Sequence, residues 1–332
     1  MARRSVPSSW PTGLIEVGAN AYAYVQGGGG TGISNAGLIV GEEGLLVIDS
    51  LFLPPMTQAF LAEIRKVSRK PVRHLVITHH HVDHTLGNQY FVGRQGGRPS
   101  APTQVISHEN CRQEMIRVGL PLERLAALMP AFADQFRQTK LVLPDLTYRG
   151  QLTIHFEERV VELLYLGAAH TIGDTLVYLP QDKLLFAGDI AFHYVTPLAF
   201  EGHVSAWIDA VRDIEGLEVE TIVPGHGPVG GKAELREMRD YLTLLRREAR
   251  KCHQEGMDEW QAARAIRLKG YSQWANPERV LANVRKLYQE FRSETPTPLD
   301  AEQTFRDMQA FAQTGVVAQG PALSVVEGEA PA

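Results

Sequence analysis

Short apolar runs separated by turn residues fill most of the first 230 positions. Ala21–Val25, Ala36–Val40 and Leu45–Asp49 alternate with glycines and predict three strands. Pro54-Pro55 opens a stretch in which Met56, Phe60, Leu61, Ile64 and Val67 recur at helical spacing, predicting one amphipathic helix. Val72–Ile77 predicts the next strand, with a loop from Thr78 onward. Thr103–Ile106 predicts another, with Ser107 capping the helix that follows. From 108 to about 140, Met115, Ile116, Leu120, Leu122, Leu125, Leu128, Met129 and Phe132 keep a helical period, broken at Pro121 and Pro130. Strands resume at Leu152–Phe156, Val160–Leu166, Thr175–Leu179, Leu184–Ala187 and Thr221–Val223, with a helix over Ser205–Ile214. The pattern describes a β-rich core with inserted helices, not a βαβ repeat.

From Lys232 the character changes to long helices. Asn276–Glu294 sets Val280, Leu281, Val284, Leu287, Tyr288 and Phe291 on one face. The expected organisation is a catalytic unit over 14–230, with its helical insertion at 108–140, followed by a C-terminal helical extension over 231–313. The stretch 314–332 is rich in Gly, Ala, Pro and Val without period and reads as a flexible tail.

Composition narrows the function classes. At 44% hydrophobic and 21% charged residues over 332 positions, the chain is too apolar for intrinsic disorder. No apolar run approaches the roughly 18–20 residues of a membrane-spanning helix. Basic Met1–Arg4 leads into Ser5–Trp10, where an apolar signal core would have to sit. Two cysteines, Cys111 and Cys252, fit a reducing compartment, so a cytoplasmic location is expected. A net charge of −5 without a basic cluster argues against nucleic acid as the main partner. A small-molecule substrate is the expected partner, and the C-terminal helices are read as either a homodimer contact or a cap over the pocket.

What changes the picture is the presence of 12 histidines, several of them bunched. Four pieces stand out: His79-His80-His81-Val82-Asp83-His84, His170-Thr171-Ile172-Gly173-Asp174, Gly188-Asp189 and Gly225-His226. Each is read as lying just past an apolar run, where a rigid sheet holds side chains with little tolerance. Neutral imidazoles and carboxylates are the ligands of zinc and its first-row neighbours. His79 and His81, two apart in an extended loop, can face one way and join His170 around one ion. Asp83, His84 and His226 form a matching set for a second, and Asp189 has two oxygens with which to bridge both. Two ions (about +4), two aspartates and a shared hydroxide leave roughly +1 in the site, which suits an oxyanion. Asp83 and Asp189 are thus the candidate catalytic carboxylates. His80 faces away from its neighbours in an extended chain and reads as a non-ligand. His74, His108, His155 and His253 read as strand or surface histidines.

At these residues the chain resembles the metallo-β-lactamase superfamily. The motif His-x-His-x-Asp-His, then a lone His, an Asp and a final His, is met by His79, His81, Asp83, His84, His170, Asp189 and His226 in order, over about residues 14 to 230. The resemblance implies an α+β four-layer αββα sandwich with the metals at one edge of two facing sheets. It implies that Asp49, at the end of a strand, supports a metal-binding histidine. Gly27–Gly32 technically matches Gly-x-Gly-x-x-Gly, but it leads into a strand and reads as a hairpin loop that in this family overhangs the metals. True β-lactamases commonly carry Cys or Ser where this chain has Asp189; aspartate there is the pattern of glyoxalase II, lactonases and related hydrolases.

The implied function is a dinuclear hydrolase with two Zn2+ (Mn, Fe or Co being the alternatives). A bridging hydroxide would attack the carbonyl of an ester, lactone, thioester or related acyl substrate. The alternatives are β-lactam hydrolysis, phosphodiester cleavage, iron-dependent oxidation on the same fold, and a non-catalytic metal scaffold. His193, Tyr194 and His203 follow the bridging aspartate and are candidates for substrate contact or proton donation. Phe192 and Trp207 read as wall or core. Met115, Leu120, Leu128, Met129 and Phe132 are expected to form an apolar substrate wall.

Overall fold

The structure is a computed structural model in which residues 6–92, 102–292 and 297–314 are described, the side chain of Leu128 excepted. The expected flexible tail lies outside the described residues from 315 onward.

Among the described residues, twelve strands form two sheets. The first contains β1 (Gly13–Gly18), β2 (Ala21–Val25), β3 (Ala36–Val40), β4 (Leu45–Ile48), β5 (Val72–Val76), β6 (Gln104–His108) and β7 (Leu146–Tyr148), in that spatial order. It is antiparallel as far as β4 and parallel beyond it. The second sheet orders β12 (Thr221–His226), β11 (Leu184–Phe192), β10 (Leu176–Leu179), β9 (Arg159–Leu164) and β8 (Gln151–Phe156). Only its β11–β12 pair is parallel.

The two-residue period of a strand decides which layer each side chain joins. In β10, Val177 and Leu179 enter the core between the sheets, while Leu176 and Tyr178 enter the core beneath the C-terminal helices. Leu184 and Phe186 of β11 divide from Leu185 and Ala187 in the same way. Both faces of these strands are covered, which explains why they read as continuous apolar runs without alternation. On the outside of the first sheet, helix Pro54–Val67 buries Phe60 and Ile64, and helix Glu109–Val118 buries Cys111 and Met115. On the outside of the second lie helices Val204–Gly216, Lys232–Gln254 and Val280–Phe291. The layers run helix, sheet, sheet, helix, as the resemblance implied.

The same core joins the C-terminal extension to the rest. Trp207, Ile208 and Val211 share one apolar cluster with Leu235, Met238, Tyr241, Leu245, Leu281, Val284 and Leu287.

Three local expectations need correction. Ser107 is not a helix cap: it lies inside β6, which runs on to His108 by pairing with β7, a three-residue strand too short to show a period. His108 caps the helix, its Nδ1 accepting from the Asn110 backbone N–H at 3.2 Å. Second, Asp189 does not follow a strand. β11 continues to Phe192, and its register against β12 shifts beside Gly188, where a Cβ would come within 2.8 Å of Thr78 Cβ. Third, Val67 ends its helix 42% exposed, outside the buried stripe.

Candidate metal centre

The polar groups gather at one edge of the two sheets. Asp49 leaves β4 with a positive φ of 58°, and both of its oxygens reach across to the segment after β5. Oδ1 accepts the Thr78 backbone N–H at 2.8 Å, and Oδ2 accepts the Thr78 hydroxyl at 2.7 Å and His84 Nδ1 at 2.8 Å. A carboxylate only accepts, so His84 carries a hydrogen on Nδ1 and turns Nε2 inward. Thr78 Oγ1, having donated to Asp49, accepts from His79 Nδ1 at 3.1 Å, which frees His79 Nε2 likewise. His226 closes β12 and donates Nδ1 to the Ile33 carbonyl at 3.0 Å. Each of these three rings is held by one nitrogen and offers the other.

The offered atoms meet in two groups. His79 Nε2 and His170 Nε2 lie 3.0 and 2.9 Å from His81 Nδ1, and Asp189 Oδ2 lies 3.3 Å from His170 Nε2. In the second group, His226 Nε2 is 3.4 Å from Asp83 Oδ2, and His84 Nε2 is 3.9 Å from it. Asp189 spans both, with Oδ1 at 3.2 Å from His84 Nε2 and Oδ2 at 3.4 Å from His226 Nε2. A tetrahedral ion with ligands at about 2.0–2.1 Å sets those ligands about 3.3 Å apart. His84 Nε2 and Asp189 Oδ1 are buried without a hydrogen-bond partner, although they are close, which leaves them aimed at a common point and not at each other. These residues fit divalent metal.

Electrostatics agree. Burial holds His79 well below the usual imidazole range and lowers His170 to about 3, so both are neutral. Burial pushes Asp189 up, but the imidazoles of His226, His84 and His170 outweigh it and keep the carboxyl ionised. His84 and His226 resist burial because Asp189 leads the carboxylates that hold their protons on, raising both. A pair of cations would replace those protons.

The glycine loop between β2 and β3 is pinned over the second group. Beyond the Ile33 carbonyl, Ser34 Oγ donates to the Asp83 carbonyl at 2.5 Å, and buried Asn35 Nδ2 donates to Pro224 and Gly227 carbonyls at 2.9 and 2.8 Å. Gly32, at φ 80°, packs against Phe52.

His80 stands outside both groups, with Nε2 2.8 Å from Glu201 Oε2, and the same oxygen lies 3.3 Å from His81 Nε2. Glu201 went unread in the sequence, where Phe200-Glu201-Gly202 follows no motif and no period.

None of the three expected substrate contacts joins either ligand group. His193 is fully buried and donates Nδ1 to the Pro228 carbonyl at 2.9 Å, fixing the turn after His226. Tyr194, also buried, belongs to the apolar core of the second sheet. His203 caps helix Val204–Gly216, Nδ1 accepting the Ala206 N–H at 3.1 Å. Phe192 and Trp207 are core. Of the expected wall, Met115 instead packs beneath the first sheet. Leu120, Met129 and Phe132 do gather, half-buried, with Phe52, Leu86, Leu125 and Val82 beside the ligand-bearing turn. The Leu128 side chain lies outside the described set.

With this fold and geometry in place, comparison with known proteins identifies the class. The family model "Metallo-beta-lactamase superfamily" matches residues 29–226, and the chain belongs to that superfamily of metal-dependent hydrolases. It is 21% identical over 290 residues to the linear primary-alkylsulfatase of Pseudomonas sp., covering 76% of this chain and 54% of that protein. It is 23% identical over 239 residues to the type 2 metallo-beta-lactamase of Bacillus cereus, covering 69% and 82%. Among solved structures, the inverting sec-alkylsulfatase Pisa1 from Pseudomonas sp. superposes with a TM-score of 0.64 at 21% identity, over 84% of this chain and 50% of that one. A metallo-beta-lactamase from Pontibacter korlensis gives a TM-score of 0.52 at 22% identity, over 69% and 98%. The chain therefore spans about half the length of its alkylsulfatase relatives. No helix among the described residues is long and apolar enough to cross a membrane.

Proposed function

We propose that the protein is a dinuclear hydrolase of an ester, lactone, thioester or related acyl compound with an apolar portion. The observation that carries the reading is Asp189, whose two oxygens face both ligand groups at 3.2–3.4 Å. When bound, two divalent ions supply Lewis acidity and a water whose pKa falls towards about 7. The chain's own part is positional. His79, His81 and His170 would hold one ion; Asp83, His84 and His226 would hold the other; Asp49 and the Ile33 carbonyl anchor two of those rings by Nδ1 so that Nε2 is the nitrogen offered. Leu120, Met129 and Phe132 supply the apolar surface next to the turn that carries Val82 and His84.

A second reading is hydrolysis of a sulfate ester. Its support is the likeness to alkylsulfatases, which at 84% coverage extends further along this chain than the 69% of the β-lactamase match. The test combines metal analysis of purified protein with a panel of carboxylic ester, lactone, thioester, alkyl sulfate and β-lactam substrates. About two ions per chain are expected, with turnover confined to one ester class. Asp189→Ala should lose both ions and at least about a hundredfold in kcat/KM. Full activity in that variant, or in chelator-stripped protein, would exclude the mechanism.

A further inference from the structure

Glu201 lies behind the metal centre and reaches it only through histidines. Its Oε2 faces His80 Nε2 at 2.8 Å and His81 Nε2 at 3.3 Å. The negative oxygen beside Nε2 favours, by charge and not through an aligned hydrogen bond, the His81 tautomer with hydrogen on Nε2 and a bare Nδ1. That Nδ1 is the atom set among His79, His170 and Asp189. Phe200 stacks on the same imidazole, ring centroids 4.9 Å apart and planes 14° from parallel. One short segment therefore fixes both the tilt and the tautomer of a single ligand.

That segment has no regular structure of its own and hangs from the C-terminal extension. Asn283, fully buried, accepts the Ala199 N–H on Oδ1 and donates Nδ2 to the Pro197 carbonyl, both at 2.8 Å. Arg279 donates to the Thr196 carbonyl at 2.8 Å, and the Leu299 N–H donates to the Phe200 carbonyl at 2.8 Å. Glu290 accepts the Val204 N–H at 2.6 Å. On the other side Gly202 lies so close to the His170 loop that a Cβ would come within 1.9 Å of the Ala169 carbonyl. The segment is clamped between the extension and the metal centre.

We infer that Glu201 is the positioning residue for the ion held by His79, His81 and His170, and that the C-terminal extension exists in part to hold it there. The inference rests on the dinuclear reading. It has a rival in the same atoms. Neither imidazole N–H axis is aligned on Glu201 despite the short distances, and His80, His81 and Glu201 lie close enough to hold an ion of their own.

The experiment titrates Zn2+ into chelator-stripped full-length protein and resolves the affinity of each ion. Glu201→Gln keeps size and shape but removes the charge. It should weaken one ion by about 10–100-fold and leave the other within about threefold, the span expected when a ligand loses its outer partner. Asn283→Ala, which touches no ligand, should weaken the same ion; the second ion serves as the internal check that the variant is folded. Wild-type protein that binds two ions, with Glu201→Gln unchanged or both ions weakened alike, overturns the role of Glu201 alone. Three ions falling to two in Glu201→Gln also overturns it and assigns these residues to a separate ion. Wild-type protein that binds none overturns the dinuclear reading as well.

Discussion

Carboxylates set the protonation state of three histidines at the candidate metal centre, and burial sets that of two more. His84, His226 and His81 have carboxylates against them and stay protonated above the ordinary value of 6.5 in the metal-free chain. Such groups stabilise the fold most below their unfolded pKa, and that stabilisation disappears as pH rises through the folded value. Metal reverses the sign, because ligands must lose their protons to bind it. Chelator-stripped protein should therefore lose thermal stability as pH is raised above about 6.5, while metal-loaded protein should hold or gain it. Melting temperatures of both forms across that range check this. Parallel curves would mean that the buried imidazoles are not exchanging protons for metal.

Elements set how closely those residues approach. β11 and β12 lie side by side where they carry Asp189 and His226, and this parallel pair depends on glycines with nothing to spare. A Cβ on Gly225 would lie 1.9 Å from Asp189 Oδ1. Gly225→Ala should destabilise the protein by about 1–3 kcal/mol through overpacking and displace the bridging carboxylate, so bound metal falls together with the melting temperature. Retention of both ions would show that the strand relaxes without moving Asp189. The short loop before β3 works by the same logic from the opposite side, since Ile33 and Ser34 contact the second ligand group through a carbonyl and a hydroxyl, and the Asn35 amide holds the Pro224 and Gly227 carbonyls that flank His226. No side-chain pattern announces a carbonyl ligand-holder, and this is why the loop reads in the sequence only as a glycine-rich hairpin.

Across the whole molecule, the extension and the catalytic unit share one core. Leu235, Met238, Tyr241, Leu242, Leu245, Leu281, Val284 and Leu287 are all essentially fully buried. At about 1.5–3 kcal/mol for each large side chain, the eight contribute about 12–24 kcal/mol as an upper bound, against a net stability of about 5–15 kcal/mol for a typical protein. A chain ended after residue 230 should fail to fold, giving insoluble product or no cooperative unfolding transition. A soluble, cooperatively melting fragment with both ions bound would show the extension to be separable.

The candidate ligands were legible because a coordination site needs particular atoms, and His79, His81, Asp83, His84, His170, Asp189 and His226 are the residue types that supply them. The strand and helix periods were legible wherever one face was buried, and failed where an element was very short, as in Leu146–Tyr148, or ran through a bulge, as at Asp189. Only the folded chain could decide that Glu201 meets His81, that Asn283 holds the Glu201 segment, and that His193, Tyr194 and His203 serve the scaffold. Those roles depend on contacts between residues up to 120 positions apart, as Glu201 is from His81, where proximity comes from layer packing and leaves no local spacing to read.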